Sequence, residues 1–276
     1  MVKVLKKYSK INYAFVLGRL SKKIGDNFQY FPVESWENEI KLGRKFGFDG
    51  VEWIISDFSN PIFNYNQIKN ISNTLNCNKM KITSISLDFI MTKPLYLINR
   101  KDLIWVISKL NSIQNKINIP RITIPVEETC RYKNKIQKKK TIDCLSLIIK
   151  KLSKKSNICI ETDLSFTELE NLLKKKSLSN LNILIDIGNF RASGKNLTKF
   201  IKKFCDKIIS FHIKFREKNY GKSKNIPKKF QELKIIDNQI KSLKKLQDLT
   251  FQTYRSNFNY LNDMVNNIKN FNEIIR

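Results

Sequence analysis

Short runs of β-branched and aromatic residues alternate along this chain with longer stretches whose apolar positions recur at helical spacing. The alternation is plainest in the second half. Asn157 to Thr162, Ile183 to Ile187, Ile208 to Lys214 and Leu249 to Tyr254 have the composition of buried parallel strands. Between them lie amphipathic stretches such as Phe166 to Lys174, with the three-to-four-residue apolar spacing of a helix face. The first half repeats the pattern: Asn12 to Leu17 predicts a strand and Ser35 to Phe46 a helix, with Ser35 as its N-cap and Asn38 where a capping box would carry an acid. Gly50 to Ile55, Ile82 to Asp88 and Arg121 to Val126 predict further strands, each followed by a helical pattern.

Eight strand and helix pairs in regular order imply a parallel sheet. An open doubly wound sheet that binds a dinucleotide needs a glycine-rich turn after its first strand, and Gly18-Arg19-Leu20-Ser21 is not one. A closed barrel takes about 250 residues, close to the 276 present. The expected fold is therefore α/β, a single-domain (β/α)8 TIM barrel over residues 1–276, since no Pro/Gly/Ser-rich linker or composition break divides the chain.

In such a barrel the carboxyl ends of the strands carry the site. Glu161, Asp186, His212 (the chain's single histidine) and Gln252 fall at the ends of four successive strands. Two carboxylates, an imidazole and an amide oxygen make a mixed, mostly hard donor set, suited to one divalent ion, with Mn, Mg or Co favoured over Zn. Any one of these residues has an ordinary reading as a helix cap or a structural histidine; their joint placement favours a metal site. Glu52, Asp88, Glu127 and Glu128 stand near the ends of the second to fourth strands and face the same mouth in this reading. Arg19, Lys214, Arg216 and Arg255 lie at or just after strand ends, where an anionic group on a substrate would be clamped, and the loop Tyr220-Gly221-Lys222-Ser223 is placed to fold over the opening.

These features resemble the xylose isomerase-like barrels, a family of sugar phosphate isomerases and epimerases. The resemblance rests on the four-strand set together with Gly18-Arg19-Leu20-Ser21, Phe31-Pro32 with Trp36, Gly50-Val51-Glu52-Trp53, Asp186-Ile187-Gly188-Asn189 and Phe211-His212-Ile213-Lys214, in order over nearly the whole chain. It implies a divalent metal on Glu161, Asp186, His212 and Gln252, and carboxylates that move a proton next to a carbonyl, with Glu161 the catalytic base. Glu52, Asp88, Asn189 and the four cationic residues are then expected to contact a sugar or sugar phosphate. Two positions depart from the family pattern. Gln252 stands where the ketose epimerases have a glutamate that is also a base, and an amide cannot take up a proton. Asn189 stands where they have a histidine. A single-base isomerisation fits this better than a two-base epimerisation, and the alternative is a non-catalytic sugar-binding or phosphosugar-binding barrel.

Composition changes this picture little. The formal charge of +28 would ordinarily suggest nucleic acid or an anionic membrane. The lysines, however, are spread over almost every helix and mixed with many asparagines and isoleucines, which reads as a chain-wide bias with no nucleic-acid or membrane partner. A DNA-repair nuclease of the same fold would need many histidines around several zinc ions, which one histidine cannot supply. Five cysteines without paired-ligand spacing suggest reduced thiols, and with no signal peptide or membrane-length apolar run a cytoplasmic location is expected, with a homo-oligomer possible in principle. A catalytic thiol at Cys130 or Cys159 would lack a second histidine as its base.

Overall fold

The computed structural model describes residues 5, 8–23, 29–152 and 154–275. Eight parallel strands among them close into a barrel: β1 (Asn12–Val16), β2 (Gly50–Ile54), β3 (Lys81–Ser86), β4 (Arg121–Val126), β5 (Asn157–Thr162), β6 (Leu181–Asp186), β7 (Ile208–Ile213) and, as the last barrel strand, β10 (Asp248–Phe251), which pairs with both β7 and β1. Two short antiparallel strands, β8 (Phe215–Arg216) and β9 (Ser223–Lys224), form a hairpin directly after β7. The expected barrel and its strand order are thus observed.

Helices follow the strands because the linking segments carry an apolar stripe and end signals. Helix α1 (Trp36–Phe46) buries Trp36, Ile40 and Phe46 and stops at Gly47, whose φ of 90° makes a left-handed C-cap. Ser35 precedes it as expected, but its side chain makes no capping bond; the Ser35 carbonyl accepts from the Glu39 amide instead. Helix α5 (Phe166–Leu173) has the full capping box, Ser165 with Glu168. Among the described residues no helix is long and apolar enough to cross a membrane.

The barrel interior is polar where an all-aliphatic filling would be the default. Arg121, with no solvent exposure, donates through Nη2 to Glu52 Oε2 at 3.2 Å and Ser84 Oγ at 2.9 Å, and through Nη1 to Asp248 Oδ2. Ser84 donates to the same Glu52 oxygen at 2.5 Å, while Ser210 and Thr250 donate to Asp248 Oδ1 at 2.6 and 2.8 Å. One buried guanidinium therefore holds two buried carboxylates, and three hydroxyls occupy lone pairs of those carboxylates.

Replacing Arg121 by Met keeps volume but leaves Glu52 and Asp248 without their shared cation. Breaking a buried pair in this way costs about 3–5 kcal/mol. Denaturant unfolding of Arg121→Met should show a loss of that order with unchanged slope, and a variant within about 1 kcal/mol of the parent would mean the network carries no such weight.

Candidate active site

Glu161 is the penultimate residue of β5, Asp186 ends β6, His212 is one residue from the end of β7, and Gln252 directly follows β10. Parallel pairing sets Asp186 beside His212 and His212 beside Thr250, so the strand ends converge on one mouth. Ligand atoms of Glu161, Asp186 and His212 lie within 4.8 Å of one another, all buried. Gln252 joins them less directly, its Oε1 lying 3.5 Å from Lys214 Nζ, which in turn lies 3.0 Å from Asp186 Oδ2. Asp186 keeps its capping role too, its Oδ1 accepting the Asn189 amide at 2.9 Å at the start of the short helix α6 (Ile187–Ala192). Cap and candidate ligand are two oxygens of one group.

His212 is gripped on both edges. Nδ1 lies 3.1 Å from Glu161 Oε1 and Nε2 lies 2.9 Å from Glu52 Oε1. Burial alone would lower the imidazole pKa, but the charges of Glu161 and then Glu52 outweigh it and hold the ring well above its usual range. Glu52 answers in kind: burial would raise it, yet His212 and then Arg121 hold it down at about 2. The Nδ1 edge looks toward the ligand cluster and the Nε2 edge is charge-paired with a carboxylate behind it, close to the arrangement in which a histidine presents one nitrogen to a metal while an acid orients the other, although the angle at Nε2 is not that of a hydrogen bond.

Above this floor opens a cavity of about 770 Å³. Among the residues lining it are Asp88, Glu127, Glu128 and Glu161, with Asn189, Lys214, Arg216 and Gln252. Arg216 reaches Glu128 Oε1, Asn189 Oδ1 at 3.1 Å and the Gly221 carbonyl at 2.9 Å, so the β8–β9 hairpin is tied to the rim and Tyr220 to Ser223 roof the opening. Asn219 and Tyr220, with φ of 55° and 56°, make its left-handed turn. Glu128 thus pairs with Arg216 across the mouth, not with the basic helix that follows it in sequence.

Not every expected residue faces this space: of the four expected metal ligands, Glu161 and Gln252 line it, and Asp186 and His212 do not. Arg255 Nη1 donates to the carbonyls of Ser21 and Lys22, behind the wall, and is absent from the lining. Arg19 is likewise buried off the lining; its Nη2 donates to Gln29 Oε1 at 2.7 Å. Burial and then Arg255 lower Arg19 to about 9. Gly18, at φ 92° with the Tyr30 carbonyl 2.9 Å from where a Cβ would stand, lets this loop turn sharply, and its amide donates to the buried Glu39 at 2.6 Å. Glu52 lies beneath the floor, behind the histidine. The cysteines also withdraw: burial pushes both Cys130 and Cys159 up to about 12.

One contributor escaped the sequence reading, and another was read only as lying near the mouth. Gln29 is a hub: it accepts from Arg19 and from Gln252 Nε2 at 2.9 Å, and donates to Asp88 Oδ1 at 2.8 Å. No periodicity marks it, since it lies in an irregular loop. Glu127, noted only as near the mouth, accepts Asn189 Nδ2 at 3.2 Å on each oxygen, and burial followed by Glu161 and Asp186 drives its pKa well above the usual range. Its place after the inward-facing series Arg121, Thr123, Pro125 was the available signal.

No family model matches the sequence, and no curated relative does. Solved structures do match over almost all of their length. The probable 3-DHS dehydratase of petrobactin synthesis from Bacillus anthracis superposes with a TM-score of 0.70 at 13% identity, covering 94% of this chain and 98% of that one. A sugar phosphate isomerase/epimerase from Parabacteroides distasonis gives 0.68 at 12%, covering 97% and 96%. A xylose isomerase-like TIM barrel protein from Mycobacterium smegmatis, in complex with magnesium, gives 0.66 at 13%, covering 98% and 100%. The chain has the same (β/α)8 barrel fold as these proteins. At these identities the likeness establishes the fold alone, and the chemistry of this barrel rests on its own residues.

Burial, then Glu161, raises Asp88 to about 7 against an ordinary 3.8. Between those values the folded protein holds a proton the unfolded chain has released, so this group's stabilisation is complete below about pH 4 and fades as pH rises through 7. Thermal midpoints of Asp88→Asn and the parent protein should diverge in slope across that window, the variant falling less steeply. Parallel profiles would show Asp88 titrating normally.

Proposed function

We propose that this protein is a divalent-metal-dependent isomerase or epimerase of a sugar or sugar phosphate, with Glu161 as the base. The observation that carries the reading is the buried Glu161, Asp186 and His212 cluster, of which Glu161 lines a cavity large enough for a monosaccharide. The donor set fits the ion on its chemistry: two carboxylates neutralise a dication, His212 turns Nδ1 toward Glu161, Glu52 backs its Nε2, and the Gln252 amide oxygen is a neutral fourth donor. When bound, the ion would act as a Lewis acid toward oxygens of the substrate.

The chain's own groups account for the remaining steps. Glu161 lines the cavity and takes a proton from the hydroxyl-bearing carbon next to the substrate carbonyl; returning it to the former carbonyl carbon, while the hydroxyl proton passes to the former carbonyl oxygen, completes an isomerisation with one base. Asn189 and Lys214 orient hydroxyl or anionic oxygens, and the hairpin roof limits water. Gln252 moves no proton, but Asp88, raised to about 7, and Glu127, raised well above the usual carboxylate range, line the same cavity as the site's own candidate acids. Gln252 and Asn189 also favour a second reading, a sugar-binding barrel without turnover.

The test joins metal content to proton exchange. Protein purified without chelator, or loaded with Mn²⁺, should carry about one ion per chain by mass spectrometry, and a His212→Ala, Asp186→Ala double variant should lose it. With aldoses, ketoses and their phosphates in D₂O, the loaded parent should place deuterium next to the carbonyl by NMR, and Glu161→Gln should slow this by about 10² or more while keeping metal. Metal without exchange on any sugar would favour the binding barrel; no metal in the parent would end the metal-dependent reading.

A further inference from the structure

Lys214 follows β7 by one residue, and its side chain turns back into the ligand cluster. Its Nζ stands 3.0 Å from Asp186 Oδ2 and 3.5 Å from Gln252 Oε1, so the ammonium bridges two of the four candidate donors on the side away from His212's anchored edge. It is almost fully buried, at 7% exposure, yet it belongs to the cavity lining. Its stem rests against the turn after β6: a Cβ on Gly188 would meet Lys214 Cγ and the Lys214 carbonyl, each at 3.0 Å. The chain therefore keeps a side-chain-free position where the lysine stem passes into the site.

We propose that Lys214 is a built-in competitor for the metal site, a resident monovalent cation that a divalent ion must displace from Asp186, and that the displaced ammonium then serves as a contact for substrate oxygen in the cavity. The inference rests on the metal-dependent reading above. Three features support it. Asp186 cannot give Oδ2 to a divalent ion and to the ammonium together without placing two cations side by side. Its other oxygen is already held by the Asn189 amide, so Oδ2 is the one in contention. Finally, Gln252 offers only a neutral amide, so within the ligand set Asp186 is the lysine's charged partner, and rotation of the long stem would carry the ammonium off that oxygen. The consequence is a site that stays electrically satisfied when empty and selects for ions that repay displacement of the lysine.

Lys214→Met tests this, because it keeps the stem and removes only the charge, and Lys214→Arg serves as its charged control. Calorimetric titration of chelator-treated protein with MnCl₂ alone, with no sugar, should show Lys214→Met binding about tenfold or more tightly than the parent, and Lys214→Arg staying near the parent. Lys214→Met should also lower the thermal midpoint of the metal-free protein, since Asp186 loses its ion pair, and added Mn²⁺ should raise its midpoint by more than it raises the parent's. Equal or weaker Mn²⁺ binding in a folded Lys214→Met protein overturns the competitor role while leaving the metal reading intact. No measurable Mn²⁺ binding in either protein overturns both. Should Lys214→Met not fold, Lys214→Gln is titrated in its place against the same criterion.

Discussion

The site depends on Glu52 being ionised in a place where water cannot reach it. An isolated carboxylate with no solvent exposure would keep its proton. Here Arg121 approaches from below and His212 from above, and Ser84 supplies a further donor, so the charge is cheaper to keep than to neutralise. From that one ionised group the rest follows upward. His212 is fixed at Nε2, its plane is set, and Nδ1 is delivered to Glu161 at the mouth. Downward, Arg121 passes the constraint to Asp248 and through it to hydroxyls on β7 and β10, so the floor of the site is braced by strands on opposite sides of the barrel.

Much of this was legible in the chain because the strands write polar residues at every second position. Ser210 and His212 on β7 with Lys214 just after it; Asp248 and Thr250 on β10 with Gln252 just after it; Ser84 and Ser86 on β3 with Asp88 just after it; and Arg121 and Thr123 on β4 are each one every-second-residue series read from amino to carboxyl end. The upper members were recognised as candidate chemistry because they sit at strand ends. The lower members, Arg121 and Asp248, were not, because a charge at the start of a strand looks like a solvent-facing end until the barrel closes around it. Side-chain direction in loops left no comparable trace. Arg19 and Arg255 stand next to strand ends as Lys214 and Arg216 do, yet they brace the loop after β1 while Lys214 and Arg216 line the cavity, and Gln29 reaches the site from a segment with no period to betray it.

Charge is divided between inside and outside. The chain carries +28 overall, whereas four carboxyl groups, those of Asp88, Glu127, Glu128 and Glu161, line the one mouth toward which the strand ends converge. A positive envelope draws anions over the whole surface, while the cavity's carboxyl groups are either paired, Glu161 with His212 and Glu128 with Arg216, or raised in pKa, as Asp88 and Glu127 are. A substrate that binds a metal through hydroxyl and carbonyl oxygens and leaves any anionic group near Lys214, Arg216 or Lys222 at the rim would be served by both halves of that distribution. The mixture of lysine and asparagine over the helices is thus compatible with the site without being its cause.

Gln252 and Lys214 are best understood together. A glutamate at 252 would give Lys214 a second carboxylate 3.5 Å away in a buried pocket, and an ammonium held between two buried anions would be far harder to move. The amide keeps the hydrogen-bonding position but removes the second charge, leaving Asp186 as the lysine's charged partner within the ligand set. The cost is a proton acceptor, which the amide cannot be. A barrel with lysine after β7 and glutamate after β10 would hold its ammonium too strongly, and one with neither would leave Asp186 without a cationic partner whenever no ion was bound. The pairing of an amide with an ammonium lies between these extremes, and under the proposed function it leaves Glu161 as the carboxylate that would move the proton.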